Sequence, residues 1–160
     1  MSAQIGQLGL AEAQAQLQPW ARRAPAIAGA EYQQRIEQAR ALMRTLGVDA
    51  LLVNAGTSLR YFAGVPWGAS ERLVALLLTA AGDPLLVCPA FEEGSLDAVL
   101  KIPARKRLWQ EHEDPYALVA QAMAERGART LALDPAAAFA LHTGLCAHLD
   151  PRAIVDAAPV

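Results

Sequence analysis

The chain has 160 residues, 54% apolar but only 6% aromatic, which suits one domain with a core mostly of Ala, Leu and Val. Its 14 basic and 16 acidic side chains leave a formal net charge of −2, excluding any general electrostatic pull toward nucleic acid or anionic lipid. Charged residues make up 19%, below the usual quarter, so part of the surface is expected to lie under a second domain or another subunit.

Residues 8–18 are rich in Ala and Gln and predict a short helix ended by Pro19. Residues 19–29 carry two prolines and two arginines and read as a connector, so 1–30 form an arm and 31–160 the domain proper. Over 31–46, Tyr32, Ile36, Ala39, Met43 and Leu46 recur at helical spacing. Glu31 and Arg35 pair four apart, and Gly47 supplies the stop. Residues 50–53 are a short apolar strand candidate directly behind that helix.

The apolar runs 73–78 and 85–88 flank Ala80-Ala81-Gly82-Asp83-Pro84 and predict an antiparallel hairpin buried on both faces. Residues 91–100 predict a short helix using Phe91, Leu96, Val99 and Leu100. Residues 107–110 predict an edge strand guarded by charge. Asp114-Pro115 is a helix cap followed by proline at the first helical position, opening a helix that buries Leu118, Val119, Ala122 and Met123 and stops at Gly127. Residues 131–133 are the next strand. Asp134-Pro135 repeats the cap, for a helix to about 149 that buries Ala138, Leu141 and Leu145, and residues 154–155 are the last strand. The pattern predicts the α/β class: an open mixed sheet of about five or six strands with helices on both faces.

Chemistry is sparse in this pattern. After Val53 the chain reads Asn54-Ala55-Gly56-Thr57-Ser58, with neither a dinucleotide fingerprint nor a phosphate loop. His142 and His148 are six apart on a predicted helix, on opposite faces, and His112 lies between Glu111 and Glu113, where a solvated imidazole is expected. Ser58, Ser70 and Ser95 have no base beside them in sequence. Cys88 and Cys146 sit in apolar runs and are expected as buried free thiols. The basic run 101–107 is followed at once by acidic residues, reading as a solvated edge of mixed charge rather than a phosphate-binding patch. The first 25 residues lack a charged start followed by an apolar stretch. The longest apolar run, 73–81, is half the length of a membrane-spanning helix, so a cytoplasmic protein without membrane or nucleic-acid partners is expected.

One ordered set of motifs adds to this. Asp49-Ala50-Leu51-Leu52-Val53 is followed by Ser58-Leu59-Arg60-Tyr61-Phe62-Ala63-Gly64, then Ser70-Glu71-Arg72, then Pro89-Ala90-Phe91-Glu92. With the helix that ends in glycine before them and the segment 109–115 after them, they resemble the N-terminal domain of the creatinase, prolidase and aminopeptidase P family, nearest its bacterial Xaa-Pro dipeptidase branch. The resemblance covers about 31–155, and the arm before it is unmatched.

The resemblance implies a non-catalytic domain. In this family a C-terminal domain of the pita-bread fold carries two Asp, one His and two Glu that hold two divalent metal ions for hydrolysis of the bond before proline. That domain is expected to be absent from this chain, which then holds no catalytic, metal or cofactor-binding residue of its own. The implied partners are the chain's own catalytic domain and further copies in a homo-oligomer. Such domains border the catalytic cleft and help build the dimer, and a loop of one subunit reaches its neighbour's active site. The loop here is 64–72, with Trp67 between Pro66 and Gly68, and Trp67 and Arg72 are the substrate-entrance candidates. Trp67 either faces the entrance or packs beneath the loop; Arg72 either steers a carboxylate or pairs with Glu71. A stand-alone binding or dimerisation module of the same fold is the alternative.

Overall fold

A computed structural model describes residues 4–5, 8–17 and 22–160. Two short strands, β1 (Gln4–Ile5) and β2 (Leu8–Gly9), pair antiparallel, and α1 (Leu10–Gln16) follows without a buried residue. The predicted first helix is therefore shorter, its first residues being taken into the β2 pairing, while Gln18 lies outside the described residues.

α2 (Gly29–Leu46) buries Tyr32, Ile36, Ala39 and Met43 as its spacing predicts. Leu46, expected on the same stripe, is exposed at the last position of the helix; Arg40 is the residue that turns inward instead. Its Nε donates to the Thr79 carbonyl at 3.0 Å and its Nη1 to Glu37 Oε1 at 2.8 Å, so the buried charge is bonded and paired. Gly47 takes φ 68° and ends the helix, with the Val48 amide donating to the Met43 carbonyl at 2.9 Å.

β3 (Ala50–Asn54) pairs antiparallel with β4 (Ala75–Thr79), which pairs antiparallel with β5 (Leu85–Pro89). β6 (Arg105–Trp109) adds parallel to β5; β7 (Leu131–Leu133) and β8 (Ile154–Asp156) add parallel on the far side of β3. The order is β6-β5-β4-β3-β7-β8, with β4 alone reversed. α3 (Thr57–Ala63) follows β3 and α4 (Glu93–Asp97) follows β5. α5 (Pro115–Glu125) follows β6 and α6 (Phe139–Cys146) follows β7.

Alternation along the strands divides the core in two. Leu51, Val53, Leu76, Leu78, Leu86 and Cys88 face α2, α3 and α4. Ala50, Leu52, Ala75, Leu77, Leu85 and Val87 face α5 and α6. With both faces covered, the central strands are apolar at nearly every position, as their unbroken runs predict. The outer strand β6 is mostly polar, as expected of an edge.

Four local expectations are corrected. Phe91 is 64% exposed, because a 3-10 turn at Ala90–Glu92 precedes α4 and points it outward, so Leu96 alone anchors that segment fully. Asp134 caps a turn rather than α6: its Oδ1 accepts from the Ala136 amide at 2.9 Å, and the helix begins at Phe139 behind an exposed Ala138. Leu118 is only partly buried, since α5 presents Val119, Ala122 and Met123 to the sheet. Of the two free thiols only Cys88 is fully buried, and burial pushes its pKa up to about 12; Cys146 is half-buried.

Candidate functional site at the carboxyl edge of the sheet

Five of the six strands end at one edge, and the reversed β4 begins there. β3 and β7 are parallel neighbours whose following segments leave to opposite faces, α3 toward the α2 side and α6 toward the α5 side. Such a divergence opens a crevice beyond the strand ends, where open α/β sheets place their ligands. A cleft of about 180 Å³ lies there, bordered by Asn54, Ser70, Arg72, Tyr116, Ala136 and Leu141.

The loop between α3 and β4 forms one wall. It starts at Gly64, whose φ of 72° belongs to the left-handed region, and a Cβ there would collide with the Lys101 side chain and the Tyr32 hydroxyl. The Lys101 amide donates to the Ala63 carbonyl at 2.9 Å, pinning the loop's entry. Val65 is fully buried, Trp67 is half-buried against the α2-side core, and Pro66 and Gly68 are exposed.

Arg72 closes the loop. Its Nε and Nη2 donate to the two oxygens of Glu111 at 2.8 and 3.3 Å, and its Nη1 to Glu71 at 2.6 Å. Its guanidinium also lies 5.7 Å from the centre of the Phe91 ring. The hydrogen bond from Arg72 holds the Glu111 carboxyl below its ordinary range and raises the arginine's own pKa. The pair fastens the loop to the segment after β6. Trp67 and Arg72 are thus neighbours in sequence but turn to different faces of the sheet.

Sequence reading did not single out the polar groups the fold gathers at this edge. Asn54 Oδ1, Glu92 Oε2 and Asp134 Oδ2 are enclosed side-chain oxygens with no hydrogen-bond partner among the described residues; Asn54 ends β3, and Glu92 and Asp134 follow β5 and β7. Asp134 is 6% exposed. All three are acceptors, so the edge is chemically suited to N–H or ammonium donors rather than to anions. The signal in sequence was present as polar residues at or soon after the ends of apolar strands, but Asp134-Pro135 also reads as a plain cap.

The histidines do not converge. His148 Nε2 lies 2.7 Å from Asp114 Oδ2, while Asp114 Oδ1 accepts the Tyr116 amide at 2.9 Å and caps α5 as predicted. Burial alone would raise the Asp114 pKa; the bonds from His148 and the two capping amides outweigh it and hold the carboxyl below its ordinary value. His142 stacks on Phe139 and touches Cys146 Sγ, and His112 is exposed. Among the described residues no group of three or more His, Cys, Asp or Glu is placed to hold a metal ion, and no helix is long and apolar enough to cross a membrane.

The strand order, the reversed β4 and the loop on the carboxyl edge define the class as a mixed open α/β domain, distinct from the dinucleotide-binding folds that share its layers. The chain belongs to the Creatinase/Prolidase N-terminal domain family, whose profile matches residues 35–160. It is 36% identical over 90 residues to a probable dipeptidase PepE of Mycobacterium tuberculosis, a match covering 55% of this chain and 24% of that protein. The crystal structure of dipeptidase PepE from Mycobacterium ulcerans superposes with a TM-score of 0.67 at 30% identity, covering 78% of this chain and 34% of that one. The N-terminal domain of an X-Pro dipeptidase from Streptococcus pyogenes, at 16% identity and a TM-score of 0.66, shares the fold over 77% of this chain and 92% of its own. The chain thus spans about a quarter to a third of the dipeptidases it matches.

Proposed function

We propose that this chain is the non-catalytic N-terminal domain of a proline-specific dinuclear metallopeptidase, an Xaa-Pro dipeptidase or aminopeptidase, and that it serves oligomerisation and shapes the active-site entrance. The observation that carries this reading is the family match: the Creatinase/Prolidase N-terminal domain covers residues 35–160, and the similar dipeptidases are matched over 24% and 34% of their own length. Two divalent metal ions would be held by the C-terminal domain of such an enzyme, where they would activate the attacking water. This chain's own contribution would be steric and polar. Loop 64–72, pinned at Gly64 and fastened by Arg72 to Glu111, offers a firm rim, and firm rims on a packed scaffold are where binding residues collect. Trp67 would give that rim an apolar wall that limits substrate length.

Two measurements test the reading. The purified 160-residue chain should hydrolyse no Xaa-Pro dipeptide above a metal-free blank with any divalent metal. Joined to the catalytic domain, Trp67→Ala should change kcat/KM for longer Xaa-Pro substrates by roughly tenfold. Stability should fall by only about 1–2 kcal/mol, because the indole is half-buried, below the about 3–5 kcal/mol of a fully buried one. A destabilised enzyme with unaltered specificity would make Trp67 a packing residue and end its role at the entrance.

A further inference from the structure

The opposite edge of the sheet carries the reverse chemistry. Side chains of β6 alternate, and Lys106 turns toward α4, where Glu93 at 2.9 Å and Asp97 at 2.5 Å neutralise it. Arg105 and Arg107 border a cleft of about 200 Å³ on the α5 side, between the first residues of β5 and β6 and the last turn of α5. Arg126, which follows α5 directly, joins them. Its Nη1 donates to Thr79 Oγ1 at 3.1 Å and to the Asp83 carbonyl at 2.9 Å, both neutral acceptors.

Three guanidinium groups therefore share this cleft with one carboxylate, Glu125, and Arg107 takes that carboxylate. Arg105 is exposed and forms no ion pair or side-chain hydrogen bond among the described residues. The Asp83 side chain, whose charge acts on Arg126, makes no ion pair among the described residues either. Burial and then the charge of Arg105 push the Arg126 pKa below that of an ordinary arginine, with Arg107 and Arg40 adding to the effect and Asp83 opposing it. The C-terminal dipole of α5 contributes about −0.5 charge, less than the two guanidinium groups without a carboxylate.

We propose that this cleft is an anion site that takes a phosphate group, with Arg105 and Arg126 as its ligating residues. Guanidinium forks match phosphate oxygens in planar, paired hydrogen bonds, and a dianion answers two guanidinium groups that no carboxylate bonds, where a carboxylate answers one. The volume of the cleft, about 200 Å³, leaves room for a small oxyanion. A nucleic-acid backbone would need a row of free cations, and Lys106 and Arg107 are already paired. The competing role for Arg105 is purely protective, a charge that keeps edge strand β6 from pairing with another chain, and it requires no ligand. The proposal is independent of the peptidase reading, since it concerns the far edge of the sheet.

The test uses the 160-residue chain, with inorganic phosphate as probe and chloride and acetate as comparisons at matched ionic strength. Calorimetric titration and thermal melting should both show saturable phosphate binding, half-complete at about 1 mM or below. Arg105→Gln should weaken it by roughly tenfold or more without lowering the melting point of the free protein, because Arg105 makes no side-chain bond among the described residues. Arg126→Gln should weaken it as much, with a lower melting point from the lost bonds to Thr79 and Asp83. Phosphate binding that is absent, or unchanged in Arg105→Gln, overturns the site. A response to acetate as strong as that to phosphate overturns the phosphate assignment.

Discussion

Asp49 shows how much one side chain decides in this domain. It opens the Asp49-Ala50-Leu51-Leu52-Val53 motif, and its Oδ2 accepts the Arg129 amide at 2.8 Å and the Thr130 amide at 3.0 Å. Its own amide donates to Thr130 Oγ1 at 2.9 Å, so one aspartate ties the entry of β3 to the entry of β7, 80 residues on. The Arg129 and Thr130 amides hold its carboxyl below the ordinary value, and burial opposes them without prevailing. A depressed folded-state pKa gives stability that is fully present above the unfolded value, about 3.9, and is lost as pH falls through the folded one. Asp49→Asn should therefore lower stability by a constant amount above about pH 5, and the gap to the parent should close below about pH 4. Urea melts of both proteins across pH 3–7 check this, and a gap that stays constant into acid would mean that the carboxylate charge contributes nothing.

At the scale of elements, α2 is held by its apolar stripe rather than by propensity. Ile36 and Met43 are 0% exposed, and the helix covers β3 and β4 from one side. Met43→Asp places a charge in that interface with no partner arranged for it, and the expected result is a domain unfolded at room temperature. Circular dichroism of the variant is enough to tell, since an unchanged melt would mean the stripe does not face the sheet. α3 was not legible in the same way. Its seven residues lie between two glycines and carry no full amphipathic period, and the sequence pattern predicts no element over them. What makes them helical is the burial of Leu59 and Ala63 against the α2-side core, a contact only the closed fold provides. Asp134 reverses the lesson. Its pattern is the same as that of Asp114, but the chain needs a further turn after β7 before α6 can lie on the sheet, so the cap is used for the turn.

The molecule as a whole has two cores separated by one sheet, and each carries a tryptophan. Trp109 is buried on the α5 side with its Nε1 donating to the Leu73 carbonyl at 3.1 Å, while Trp67 packs on the α2 side. Because β3, β4 and β5 supply residues to both cores, neither can come apart without the other. Variants that keep only Trp67 or only Trp109, with Phe at the other positions, should therefore give coincident denaturant midpoints once each is referred to its own circular-dichroism midpoint. A separation between fluorescence and circular dichroism in one variant alone would show that the faces unfold independently.

The local sequence by itself determined the class of the fold, the two-sided burial of the central strands, the β4–β5 hairpin, the guarded edge at β6 and the cap at Asp114. Each rests on interactions within a few residues or on an apolar period that water enforces anywhere along a chain. The placement of the candidate site belonged to the tertiary structure. Trp67 and Arg72 lie five positions apart on one loop, yet one packs toward the α2 face and the other borders the cleft on the α5 face. Asn54, Glu92 and Asp134 share an edge only because β3, β5 and β7 run the same way, and Arg105 meets Arg126 only because α5 returns across β6. Those meetings depend on strand order and direction, which are set by long-range pairing and are not written in any single stretch of residues.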